Sequence, residues 1–393
     1  MCVNAASSSR VFWLSCGATS CVAIATNLPP VFLTTFSESL GGAAGLTEEQ
    51  LGRISAMVFS GFVVGIAVAS PLADRWGAKR FVFSGLISLI AGLGLLGFAR
   101  SYAALLICVF LLGMGAGILE VVLSPIVAAL QPHRRAATLN WLHSFYCVGA
   151  VGTVLIGSLA LYAHVHWRAV ALAILIVPAG ALLGFTSVRV LALVHEDADY
   201  EPVHSLIRYP FFLAALALIF LGGATEIGMA QWLPAYAERG MGYSKATGGM
   251  ALAAFSLAMW LGRILFGFLI RRIGVVSLMM ICCVACIALI LIGSFLPNAF
   301  TALSACIALG LTVSCFWPTT LGLASDRFPH GGAFMFGILA AFGNGGCILM
   351  PWLVGIIAER SELNWAIASI TVCPLLMLAI LVGMRAIPRE RPD

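Results

Sequence analysis

Polar positions along this 393-residue chain are gathered into short interruptions between long apolar runs. The runs fall near residues 11–36, 50–72, 80–99, 102–130, 136–163, 167–189, 209–236, 246–270, 274–295, 298–325, 331–357 and 364–385. Each is about twenty residues or longer, the length at which a helix crosses a bilayer's hydrocarbon core. Membrane barrel strands need only about ten residues each, so the runs suit helices better. A helix also satisfies its own backbone hydrogen bonds, as lipid demands. The pattern therefore predicts an all-α membrane protein with twelve transmembrane helices.

The sharpest polar interruption, 190–208, lies close to the middle and holds His195, Glu196, Asp197, Asp199, Glu201 and His204. It reads as a linker between a six-helix bundle at 1–189 and another at 209–393. The halves repeat one another. Gly65 matches Gly262, Leu72 matches Leu269, Gly77 matches Gly274, Gly113 matches Gly310, Phe145 matches Phe342 and Gly149 matches Gly346, each pair 197 residues apart. Six helices per copy give both copies the same orientation, so the predicted fold is two pseudo-symmetric six-helix bundles related by an axis along the membrane normal.

Composition narrows this further. The chain is 61% hydrophobic and 9% charged, with a mean hydropathy of +1.05. A soluble domain carries roughly 25% charged residues, so a soluble globule is excluded. The net charge of +5 sits in short loops and signals no nucleic-acid partner. With both termini in the cytosol, that side collects Arg10, Arg75, Lys79, Arg80, Arg134, Arg135, Arg189, Arg208, Arg271, Arg272, Arg327 and the C-terminal arginines. The other side keeps Arg53, Arg100, Arg168, Arg239, Lys245 and Arg360. This bias sets the expected orientation. The start of the chain reads as the first helix rather than a removed signal. Most of the 12 cysteines lie inside apolar runs and read as small hydrophobes, with no disulfide or metal site.

The loop after the second segment reads Ser70-Pro71-Leu72-Ala73-Asp74-Arg75-Trp76-Gly77-Ala78-Lys79-Arg80. Gly77 permits a tight turn, and Asp74 suits a contact with the positive end of a helix, expected near His330. The run resembles the G-x-L-A-D-R-x-G-R-K signature of the major facilitator superfamily. That resemblance implies the major facilitator fold and a cytosolic latch made of Asp74, Arg75, Gly77, Lys79 and Arg80. Further runs carry a finer resemblance. They are Gly113-Met114-Gly115-Ala116-Gly117-Ile118-Leu119-Glu120 before Pro125, Leu139-Asn140-Trp141-Leu142-His143-Ser144-Phe145-Tyr146 before Gly149, Gly262-Arg263, Phe316-Trp317-Pro318-Thr319, and Gly345-Gly346 before Pro351. Together they are similar to the fucose–galactose–glucose:proton symporters. By that resemblance Glu120 takes the place of the proton-coupling acid and His143 that of a sugar-contacting residue.

Ionisable residues at bilayer depth are costly and mark function by default. Counting inward from the loops places Glu120 and His143 each about 15 Å from the cytosolic ends of their helices, near the midplane, where the two are expected to meet. Glu226, Gln231 and Trp232 roughly share a face of the seventh segment, as a cavity wall or an outer gate. Asn27 stands at matching depth on the first segment. Trp317 is the repeat mate of Glu120 and offers an indole face for stacking on a sugar. Tyr146 and Asn344 complete the expected substrate-binding set, while Arg263 reads as a snorkelling or bracing residue.

The sequence thus predicts a secondary active transporter working by alternating access. It is expected to take up a small polar solute such as a sugar with protons, using the proton gradient as its energy source and no cofactor. No catalytic residue or metal site is assigned, and an enzyme is not expected. The alternatives are a proton-driven exporter of a drug or metabolite, and a non-transporting membrane sensor. The expected partners are the solute, protons and the lipid bilayer. The expected state is a monomer in the cell (inner) membrane, with both termini cytosolic.

Overall fold

The structure, a computed structural model, describes residues 5–130, 135–190, 206–328 and 332–386. Among the described residues twelve helices are long and apolar enough to span a membrane. They are α1 Ser8–Val31, α2 Glu48–Ala73, α3 Ala78–Leu96, α4 Tyr102–Leu130, α5 Trp141–Tyr162, α6 Trp167–Thr186, α7 Pro210–Arg239, α8 Lys245–Ile270, α9 Val275–Phe295, α10 Ala299–Arg327, α11 Met335–Ala358 and α12 Leu363–Met384. The central part of the predicted linker, 191–205, lies outside the described residues.

Local sequence chemistry sets many of the helix limits. Thr47 caps α2 by accepting from the Gln50 amide, and the Gln50 side chain answers at the Thr47 amide. This reciprocal box satisfies two orphan donors. The helical runs of α2 and α8 continue to Trp76 and Ile273, where Gly77 and its repeat mate Gly274 stop them with φ of 87° and 79°, a backbone region that side chains disfavour. Three spans are broken inside. The breaks fall at Leu175 in α6, at Ser314–Cys315 in α10 and at the 3-10 turn Ser369–Thr371 in α12. Each lies three to five residues before Pro178, Pro318 or Pro374, where a proline ring displaces the carbonyl four residues back and offers no amide.

The chain forms two compact units. The first is Met1–Glu196 with Leu233–Ala253; the second is Asp197–Trp232 with Ala254–Asp393. The turn joining α7 to α8 therefore belongs with the first unit, a grouping the chain order does not announce. Polar contacts hold it there. The Thr34 hydroxyl donates to Glu238 at 2.6 Å, Arg239 pairs with Glu48, and Lys245 pairs with Glu38.

Within the first unit, α2 and α4 meet along a glycine seam. A Cβ placed on Gly113 would stand 1.8 Å from the Val58 carbonyl oxygen, and one on Gly65 would stand 2.3 Å from that of Met114. The second unit repeats both contacts at the same offset of sequence. There a Cβ on Gly310 would stand 2.3 Å from the Phe255 oxygen, and one on Gly262 would stand 2.5 Å from that of Leu311. The repeat seen in the sequence is thus a repeat of backbone-to-backbone helix packing, the kind that small residues permit inside membranes.

Candidate functional site

In the first unit the side chains gather where α1 meets α5. Gly149 lets the helices touch, since a Cβ there would lie 2.5 Å from the Ser20 carbonyl oxygen. Ser20 in turn donates to the Phe145 carbonyl at 3.0 Å. This close approach sets Tyr146, whose hydroxyl lies 3.0 Å from the Thr26 hydroxyl. Asn27 donates to the same Thr26 oxygen at 3.0 Å and to the Ala23 carbonyl at 2.9 Å. Two residues picked out in the sequence are therefore joined through a third, Thr26, that was not. A threonine inside an apolar helix is ordinarily spent on the carbonyl a turn back, so its type gave no signal.

Glu120 is half-buried on α4, among glycines that press α4 against α2 and α3. His143 is exposed on α5. The expected meeting of these two is not seen: among the described residues they share neither a hydrogen bond nor an ion pair.

In the second unit the polar residues collect around α7, α8, α10 and α11. A Cβ on Gly223 would meet the Gly343 carbonyl oxygen at 2.6 Å and the Cys347 sulfur at 3.1 Å, and one on Gly346 would meet the Phe220 oxygen at 2.0 Å. This seam places Glu226 within electrostatic reach of Cys347 on α11. It also lies within reach of Arg263 on α8. The Trp317 indole lies over Gly343, where a Cβ would come within 2.4 Å of the ring. The ring also packs beside a buried cluster that includes Phe212, Ile219, Phe328 and Leu339. Asn344 is buried and donates to the Ala340 carbonyl at 2.9 Å. Gln231 and Trp232 are buried as well. The Trp232 indole donates to the Pro351 carbonyl at 2.8 Å, so its polar edge ties α7 to α11.

At the loop after α2, Lys79 donates to the Val188 carbonyl at 2.6 Å, fastening the loop to the end of α6. Arg75 and Arg80 are exposed, and Trp76 stacks on Phe81. The Asp74 side chain and His330 lie outside the described residues.

Fold and polar clusters together define a polytopic helical membrane protein with polar groups held at depth in each unit. The sequence model described as Major Facilitator Superfamily matches residues 15–329 and 239–393, and the chain belongs to that superfamily. NiaP of Bacillus subtilis (strain 168), named for niacin and nicotinamide transport, is 25% identical over 85% of this chain and 86% of its own. The glucose/mannose transporter GlcP of the same organism is 21% identical over 93% and 91%. Among solved structures, the nucleoside transporter NupG superposes with a TM-score of 0.77 at 14% identity, covering 94% of this chain and 99% of that one. The Escherichia coli fucose:proton symporter FucP gives 0.66 at 19% identity, covering 96% and 99%. The chain is a multi-pass membrane transporter and not an enzyme.

Proposed function

We propose that this transporter is a secondary active one that carries a small polar solute together with protons, by alternating access, with Glu120 as the proton-coupling group. The observation that carries the reading is the carboxylic acid itself. Glu120 sits deep in an apolar helix, and among the described residues no cation, hydrogen-bond donor or metal cluster engages it. An acid at bilayer depth is costly and marks function by default. The motif resemblance to the fucose–galactose–glucose:proton symporters supports the same assignment, as does the likeness to a glucose/mannose transporter. The solute-binding groups are Asn27, Thr26, Tyr146 and His143 in the first unit, and Glu226, Gln231, Trp317 and Asn344 in the second. The chain works as a monomer in the cell membrane with both termini cytosolic, driven by the proton gradient without a cofactor.

The test is proton flux in vesicles reconstituted with the purified protein and offered a panel of sugars. Solute-dependent alkalinisation outside is the expected result, and Glu120→Gln, which mimics the protonated acid, is expected to abolish uphill accumulation while solute exchange continues. Uphill transport by Glu120→Gln at the wild-type rate would assign the proton to another group. Extrusion of solute driven by an inward proton gradient would make the protein an exporter instead.

A further inference from the structure

Among the described residues Arg263 is the one arginine or lysine that lies within a span rather than near its end, and the solute reading above gives it no task. Its place on α8 is informative. Leu257, Trp260, Leu261, Ile264 and Phe268 are all exposed. At about 100° per residue they form one stripe, apolar throughout and suited to face lipid. Arg263 stands about 120° round the helix from that stripe. Its neighbour Gly262 presses α8 onto α10, where a Cβ would meet Ser314 and Leu311 at 2.4 and 2.5 Å. The side chain therefore starts inside the bundle and does not point at lipid. Its Nε is buried and makes no hydrogen bond. Glu226 on α7 lies within electrostatic reach of the guanidinium, yet the two form no ion pair.

A guanidinium presents Nε–H and a neighbouring Nη–H as a planar fork that matches the two oxygens of a carboxylate. In Arg263 the Nε side of this fork is unused. A buried charged donor left unmade is costly, and no group among the described residues pairs with this Nε. A bracing arginine would spend its donors on carbonyls or on the carboxylate beside it. An arginine that keeps a donor in reserve at this depth is arranged for a group that arrives and leaves.

We propose that Arg263 anchors a carboxylate carried by the transported solute, with Glu226 as the counter-charge that faces Arg263 when solute is absent. The inference rests on the solute-transport reading and narrows it to solutes bearing a flat, anionic carboxylate.

The test uses the full chain in detergent and matched pairs of probes: gluconate with glucose, benzoate with benzamide, and lactate with lactamide. Affinities are measured by calorimetry for the wild type, Arg263→Gln, Arg263→Lys and Glu226→Gln, with thermal unfolding as a control. Wild type is expected to bind at least one carboxylate tenfold more tightly than its neutral partner. Arg263→Gln is expected to bring that preference below twofold, and Arg263→Lys to keep part of it, because it retains charge without the fork. Glu226→Gln removes the facing carboxyl group and is expected to raise the ratio of carboxylate to neutral-partner affinity several-fold; this variant also answers the question if Arg263→Gln does not fold. Equal affinity within every pair overturns the proposal while leaving transport of a neutral solute standing. So does a preference that survives in Arg263→Gln, or an affinity ratio that Glu226→Gln does not raise. A wild-type protein that binds no probe overturns the carboxylate assignment, and the sugar-driven proton flux then decides the broader reading by itself.

Discussion

Replacing glycine by alanine inside a helix has opposite expected effects at two positions of the first unit. A Cβ at position 117 would stand 2.0 Å from the Phe62 carbonyl oxygen, 2.8 Å from its carbon and 3.0 Å from its Cα. All three atoms are backbone, so nothing there can rotate away. To admit the methyl, α2 and α4 must part by about 1 Å, and a gap of about 0.5–1 Å forfeits a quarter to a half of each dispersion contact it opens. The seam moves as one, because Gly61, Gly65 and Gly113 rest on carbonyls of the same two helices. Overpacking of this kind costs about 1–3 kcal/mol, and alanine's better helix propensity returns up to about 1 kcal/mol. The expected net loss is about 1–2 kcal/mol. At Gly152 on α5 an added Cβ meets nothing within 4 Å, so only the propensity gain of about 0.5–1 kcal/mol remains. Thermal unfolding of both variants in the same detergent, followed by the loss of monodisperse protein, is the assay. Gly117→Ala should unfold at a lower temperature than wild type, and Gly152→Ala at the same or a higher one. Equal shifts of the same sign would refute the reasoning, since the two substitutions differ only in what surrounds them.

Tyr146→Phe removes the hydroxyl that reaches Thr26, at 3.0 Å. It is expected to cost about 0.5–1.5 kcal/mol of stability and to raise the KM for solute, which uptake kinetics will show. Trp317→Ala should weaken solute binding more than Trp317→Phe, because an aromatic face survives in the latter; if both bind like wild type yet unfold at lower temperature, the indole serves only to pack over Gly343. Asp74→Asn should slow turnover with little change in solute affinity, as a latch that governs switching requires, and a variant with normal turnover would remove Asp74 from that role.

Hydropathy alone located the twelve spans, because the cost of placing a residue in lipid is a property of that residue and sums along the chain. The repeat of 197 residues was legible for a related reason: close helix contact tolerates only small side chains, so Gly65, Gly113, Gly262 and Gly310 had to stand in register. Gly77 and Gly274 announced their turns through a backbone conformation that few other residues adopt. The partners of those glycines were not legible. That Gly113 rests on Val58 and Gly310 on Phe255 depends on how helices distant in sequence are rotated against one another, which periodicity within one helix does not contain. The same rotation decided the site. It joined Asn27 to Tyr146 through Thr26 and turned Trp232 inward to the Pro351 carbonyl. It also brought Arg263 on α8 within electrostatic reach of Glu226 on α7. Depth in the bilayer follows from counting residues, but azimuth is fixed only when neighbouring helices close on one another.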